Sequence, residues 1–162
     1  MEARRAIMRG GPSYVMKRAL VFLLAAFPAL AADNAADVVK YRQSVMKAMG
    51  AHMTAMSLVV KKQVSDRSQL AAHAAAVRDL SGGIPSFFPR ATSPDKTRTA
   101  AKNEIWQHLP EFNAAAGKLQ RESATLADAA KRGDASAFDA QFENVANACA
   151  ACHRTFRLKD ID

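Results

Sequence analysis

The chain has 162 residues, with 23 basic and 15 acidic side chains and a formal net charge of +8. The first 31 residues hold five of the basic and one of the acidic side chains, so the remaining 131 residues carry a net charge of +4. A segment of that length suits one domain with its own core. Because no basic run is interleaved with aromatic residues, nucleic acid is excluded as the expected partner.

An export signal is predicted at the N-terminus. A Lys-Arg pair precedes an apolar run from Ala19 to Leu30, and Ala29-Leu30-Ala31 forms an A-x-A cleavage site, which together are typical of a secretory signal peptide. The run is too short to span a bilayer comfortably. We therefore predict a cleaved signal peptide at residues 1–31, and a periplasmic mature domain at residues 32–162 that does not span a membrane. Met16 is an alternative translation start.

The first half of the mature domain shows the periodicity of two amphipathic helices. Apolar residues recur at spacings of three and four, and no convincing period-two strand pattern is present. The helices are predicted from about Ala35 to Lys62 and from about Ser65 to Leu80. Their predicted core faces hold Arg42, Met46, Met49, Met53, Met56 and Val60, and then Leu70, Ala74, Val77 and either Leu80 or Ser81.

A long loop and a third helix follow. Gly82–Pro85 should end the second helix, and a Pro-rich loop to about Lys102 is long enough to be a crossover or a lid over a bound group. Pro110 indicates either that the third helix begins there or that a helix from Asn103 is kinked. The predicted core face of this helix holds Ile105, Leu109, Phe112, Ala116, Leu119, Ser123, Leu126 and Ala130.

The fourth helix carries a chemical motif. Gly133 is predicted to end the third helix and Asp134 to cap the fourth, which makes these helices antiparallel neighbours. The fourth helix has a predicted core face of Phe138, Phe142, Val145, Cys149, Cys152 and Phe156. Cys149, Cys152 and His153 form C-x-x-C-H, the pattern that attaches haem covalently to protein. On a helix, all three side chains project from one face within a single turn.

A redox dithiol and a metal site are the alternative interpretations of the two cysteines. A redox dithiol would be expected near a βαβ pattern, and structural zinc needs four ligands. These cysteines are the only two in the chain, and His52, His73 and His108 are predicted to be surface or boundary side chains rather than ligands. The sequence thus predicts an all-α, antiparallel four-helix bundle with covalently attached haem c, and hence iron, in its core.

The mature chain resembles the class II cytochromes c, the cytochrome c′ family. The resemblance rests on Lys40-Tyr41-Arg42-Gln43-Ser44, on Glu104-Ile105-Trp106, and on Cys149 to His153 followed by Phe156-Arg157. A C-x-x-C-H near the C-terminal end is the placement that distinguishes this family. The resemblance implies that His153 is the fifth iron ligand, that Arg42 lies near a haem propionate, and that Arg157 lies beside the proximal pocket.

Each basic residue also has a structural interpretation. Arg42 could be a solvated arginine that flanks the core stripe, and Arg157 could merely complement the helix dipole. Met46 occupies the position four after the arginine, where five-coordinate members usually have an apolar residue. Members with methionine there resemble cytochrome c-556, whose low-spin iron has histidine and thioether ligands. Alternatively, Met46 belongs to a methionine stripe that fills the core.

The function predicted from these features is single-electron transfer through haem with His153 and Met46 as axial ligands, with no enzymatic activity. The alternative is a five-coordinate cytochrome c′ that binds or scavenges nitric oxide and other diatomic gases. A haem peroxidase is the third interpretation, and no distal acid–base residue supports it. The resemblance also implies that two copies pair through the first two helices, while the redox partner protein is left open.

Overall fold

The computed structural model describes residues 33–159, and the predicted signal peptide lies outside them. The described part consists of helices joined by turns and loops, and its only β-structure is one isolated bridge between Ala101 and Arg157. Its helices are α1 (Ala35–Val60), α2 (Leu70–Ser81), α3 (Glu104–Gln107), α4 (Leu109–Arg132) and α5 (Ala135–Phe156). The predicted all-α class is confirmed. Within the described residues, no helix has the length and apolar character needed to cross a membrane.

The predicted turn between the last two long helices is confirmed. Gly133 adopts a left-handed conformation with φ of 69° and ends α4, which costs glycine little because it has no Cβ. The side chain of Asp134 accepts a hydrogen bond of 3.0 Å from the backbone N–H of Ala137, which caps α5. This tight turn holds α4 and α5 side by side.

The predicted start of α2 is wrong by five residues. The helix begins at Leu70 rather than at Ser65. The side chain of Asp66 accepts a hydrogen bond of 2.8 Å from the backbone N–H of Ser68. An aspartate that bonds the backbone two residues ahead stabilises a turn in competition with a helix. The segment before Leu70 is therefore a turn.

Pro110 lies in the first turn of α4, so the first of the two predicted alternatives is confirmed. The one-turn α3 is a separate helix that ends before Leu109. The prediction that Leu109 is a core residue is wrong, because its side chain is 46% exposed. Its spacing of four from Ile105 crosses the break between two helices, so the two residues do not share one helical face.

The four long helices form a bundle in which α4 packs against both α2 and α5, and α1 packs mainly against α2. The core includes Met56, Leu126, Phe138 and Val145, all fully buried. The predicted core face of α1 needs correction: Val39 and Val45 are also buried, whereas Met46 and Met53 are half-buried. These two methionines face a cavity between α1 and α5, where the two helices contact each other little.

Truncation of Leu126 tests this packing. Leu126 is fully buried in α4, and removing a buried leucine side chain costs about 2–5 kcal/mol because a cavity remains. Leu126→Ala should lower the free energy of unfolding of the haem-loaded protein by about that amount. Leu109→Ala is the matched control on the same helix, and its effect should stay below about 1 kcal/mol. Urea unfolding followed by circular dichroism measures both, and equal losses would contradict the assigned core.

Candidate haem-binding site

A cavity of about 850 Å³ lies between α1, α4, α5 and the loop that joins α2 to α3. Sites that bind small molecules or cofactors in proteins span about 300–1,000 Å³. Its walls are mainly apolar, with Met49 from α1, Phe112 from α4, and Ile84 and Phe88 from the loop. The size and the lining suit one large, mostly apolar cofactor. The predicted lid role of the loop remains a prediction, although loop residues do form part of the wall.

All three residues of the C-x-x-C-H motif line this cavity. The thiols of Cys149 and Cys152 are free and half-buried. They were predicted at core positions, and in the structure they pack against the core cluster as partly buried side chains that also line the cavity. Burial raises the pKa of Cys149, and burial followed by repulsion from Cys149 raises the pKa of Cys152 to about 11.

These thiols do not have the character of a redox dithiol. Disulfide exchange needs a thiolate whose pKa is lowered by its surroundings, whereas burial raises the pKa of both thiols here. A structural zinc site also lacks support, because the described residues contain no group of three or more His, Cys, Asp or Glu side chains placed to hold a metal. Of the three chemistries considered for the motif, covalent attachment of haem fits best.

The imidazole of His153 borders both the cavity and a smaller concavity formed with Arg154 and Arg157. Partial burial, and then the positive charge of Arg157, lower the pKa of His153. The neutral imidazole is the form that binds a metal. The backbone N–H of Arg157 donates a hydrogen bond of 3.0 Å to the carbonyl of His153. Arg157 therefore lies directly beside the predicted iron ligand.

Arg42 is buried, which excludes the alternative of a solvated arginine. Its side chain is 3% exposed and lines the cavity. The guanidinium donates hydrogen bonds to Thr92 Oγ1 (2.7 Å), to the carbonyl of Thr92 (3.4 Å) and to Thr99 Oγ1. Burial lowers the pKa of Arg42 to about 10, so the charge persists at neutral pH. Among the described residues, no carboxylate forms an ion pair with it.

A series of aromatic rings forms the part of the cavity wall next to Arg42. The guanidinium carbon lies 4.6 Å from the ring centre of Phe88, a cation–π distance. Phe88 packs edge-to-face on Phe112 at 4.9 Å, and Phe112 packs in the same way on Phe156 at 5.4 Å. Trp106 Nε1–H donates to the carbonyl of Phe88. Phe88 thus connects the loop to Arg42 of α1, Trp106 of α3 and Phe112 of α4.

Three methionines of α1 line the cavity: Met46, Met49 and Met53. Met56 is fully buried and lies outside the lining, so the predicted stripe divides into a cavity part and a core part. His52, His73 and His108 do not line the cavity. Thr92 and Thr99, which accept hydrogen bonds from Arg42, were missed from the sequence, because both lie in the connection between α2 and α3, 50 or more residues away.

Known proteins resemble this chain over both the fold and the site. A family model described as cytochrome C′ matches residues 37–157. The chain is 35% identical over 139 residues to cytochrome c′ of Rhodospirillum rubrum, covering 86% of this chain and 93% of that protein. It is 29% identical over 124 residues to cytochrome c-556 of Agrobacterium tumefaciens, covering 76% of this chain and 99% of that protein.

A mutant of cytochrome c prime from Alcaligenes xylosoxidans, solved as its nitric oxide complex, superposes on the chain with a TM-score of 0.73. The two are 32% identical, and the match covers 80% of this chain and 99% of that chain. The residues matched by the family model, 37–157, include all those that line the main cavity.

Proposed function

Since the chain belongs to the cytochrome c′ family, whose members carry covalently attached haem c with iron, we propose that it is a single-electron carrier of the cytochrome c-556 type. In this proposal His153 and Met46 are the axial ligands. The observation that carries it is the position of Met46, which lines the same cavity as Cys149, Cys152 and His153. Haem supplies one-electron redox chemistry when it is bound, and its axial ligands adjust the reduction potential.

The α5 side of the site would hold the cofactor. The two thiols lie one helical turn apart on the cavity wall, and His153 adjoins the second of them. Free thiols are what the formation of two thioether bonds requires, and both are free here. The neutral imidazole of His153 would supply the proximal nitrogen, and Arg157 would add positive charge beside it.

Arg42 would bind a haem propionate. Its charge is buried, and its described hydrogen-bond partners are hydroxyl and carbonyl oxygens, which carry no full negative charge. A buried cation is costly unless an anion compensates it. A carboxylate at the cavity wall would supply that compensation through a charge-assisted hydrogen bond. The hydroxyl groups of Thr92 and Thr99 would keep the guanidinium in place for it.

Met46 would supply the second axial ligand from α1. It follows Arg42 by one helical turn, so a cofactor that contacts Arg42 reaches Met46 before Met49 or Met53. A histidine and thioether pair raises the reduction potential and leaves no open position on the iron. A half-buried thioether at the cavity wall fits that role better than the fully buried Met56.

Gas binding is the second candidate function. It is favoured by the apolar cavity wall and by the similarity to a cytochrome c prime solved as its nitric oxide complex. In that case Met46 would shield an open iron position without binding it. We propose no enzymatic activity, because Arg42 is held by the loop and none of His52, His73 and His108 reaches the cavity as an acid–base group.

The proposal also covers the location and the assembly of the protein. Periplasmic export agrees with the predicted signal peptide at residues 1–31, which would leave residues 32–162 as the mature domain. Two copies would pair through α1 and α2, and the electron would pass to or from a separate redox protein.

Carbon monoxide distinguishes the two candidate functions. In the dithionite-reduced protein, an iron already bound by Met46 has no open position, so binding should be slow and incomplete at stoichiometric carbon monoxide. Absorption spectra before and after addition measure this. Immediate and complete formation of the carbon monoxide complex would contradict the electron-carrier proposal and favour the gas-binding candidate.

A further inference from the structure

Two histidines outside the haem site form a pair between α1 and α2. His52 Nδ1 lies 2.9 Å from His73 Nδ1, and the ring centres are 5.1 Å apart. Both side chains are half-buried, so that solvent reaches them. They were predicted as surface or boundary residues, and the packing of α1 on α2 brings them together across 21 positions of sequence.

The pair presents two nitrogen ligands to one point in space. In the hydrogen bond, one Nδ1 carries a proton and donates it, and the other Nδ1 accepts the hydrogen bond with its lone pair. When both rings carry their proton on Nε2 instead, both Nδ1 lone pairs are free, and this exchange of tautomer changes neither the charge nor the number of protons. Among the described residues, no carboxylate is hydrogen-bonded to either ring that would hold the first tautomer in place.

The separation of the two nitrogens suits a metal with right-angled coordination. Metal–nitrogen bonds of about 2.0–2.1 Å that meet at 90° place their nitrogens about 2.9 Å apart, which is the observed distance. Tetragonal geometry of this kind is preferred by Cu(II) and Ni(II). The planes of the two rings are tilted by 51° to each other, and the broad terminal torsion of histidine lets both rings turn toward a common ion.

We propose that His52 and His73 form a binding site for a tetragonal divalent metal ion, with Cu(II) bound most strongly. Copper is favoured because it stands highest among the divalent first-row metals in affinity for nitrogen ligands. The two Nδ1 atoms occupy adjacent coordination positions. Water completes the coordination, since the described residues offer no third His, Cys, Asp or Glu ligand beside the pair. The site is independent of the haem.

Titration of the haem-loaded protein with copper(II) chloride tests this site. We expect one Cu(II) per chain by calorimetry, and a copper electron paramagnetic resonance spectrum with hyperfine splitting from two nitrogens. His52→Ala and His73→Ala should each weaken binding by about tenfold or more, because each removes one of two protein ligands. His108→Ala is the matched control, because this exposed histidine lies outside the pair, and it should bind copper like the wild type.

A second variant separates metal binding from folding. His52→Gln keeps a side chain able to hydrogen bond to His73 but lacks the imidazole ligand, so it should fold normally and still bind copper at least about tenfold more weakly. Circular dichroism and the haem absorption spectrum check its folding. Copper affinity that is unchanged in His52→Ala, His73→Ala and His52→Gln would overturn the proposal. Splitting from a single nitrogen in the wild type would also overturn it.

Discussion

Replacing Cys149 and Cys152 together with serine is expected to abolish covalent attachment of haem. The two thiols provide the only cysteine sulfur atoms in the chain, and hydroxyl groups do not replace them in thioether bonds. Denaturing electrophoresis followed by a peroxidase-based haem stain should therefore show full signal for the wild type and none for the double variant. The intact mass of the purified variant should equal that of the polypeptide alone.

Ala150→Ser is the matched control for that experiment. Ala150 lies between the two cysteines and also lines the cavity, so the control adds a serine hydroxyl at the site while it keeps both thiols. It should retain covalent haem at the wild-type level. A double cysteine variant that keeps haem through denaturation, or a control that loses it, would contradict the assignment of the two thiols.

Replacing Met46 with leucine is expected to convert a mainly low-spin haem spectrum into a mainly high-spin one. Leucine has a similar size and a similar apolar character, so the half-buried position should remain filled. The variant lacks the thioether sulfur, and this leaves one axial position of the iron without a protein ligand. The reduced variant should then bind carbon monoxide rapidly, in contrast to the wild type.

Met49→Leu and Met53→Leu are matched controls, because both methionines line the same cavity from the same helix. Both variants should stay low-spin. A loss of the low-spin spectrum in Met49→Leu or Met53→Leu, with Met46→Leu unaffected, would transfer the proposed ligand role to another methionine and contradict the assignment of Met46.

Local chemistry is what made much of this fold predictable. The glycine and aspartate at positions 133 and 134 form a turn whose rules involve only neighbouring residues, and Pro110 starts a helix for an equally local reason. The haem motif is local as well, since all its side chains lie within one turn of α5. Features of this kind can be predicted from the sequence, because they do not depend on how the rest of the molecule packs.

Features that depend on distant contacts could not be predicted. Arg42 is buried because Thr92 and Thr99 supply oxygen atoms from a loop far along the chain. Met46 is half-buried because α1 and α5 are separated by the cavity. The periodicity of either helix gives no information about that separation. The pairing of His52 with His73 has the same origin, because it arises from the packing of two helices.

The absorption spectrum of the oxidised wild-type protein tests the central claim most directly. If His153 and Met46 both bind the iron, the spectrum should be low-spin and should contain a sulfur-to-iron charge-transfer band that disappears in Met46→Leu. A high-spin spectrum of the wild type without that band would contradict the claim, since it would show that Met46 does not bind the iron.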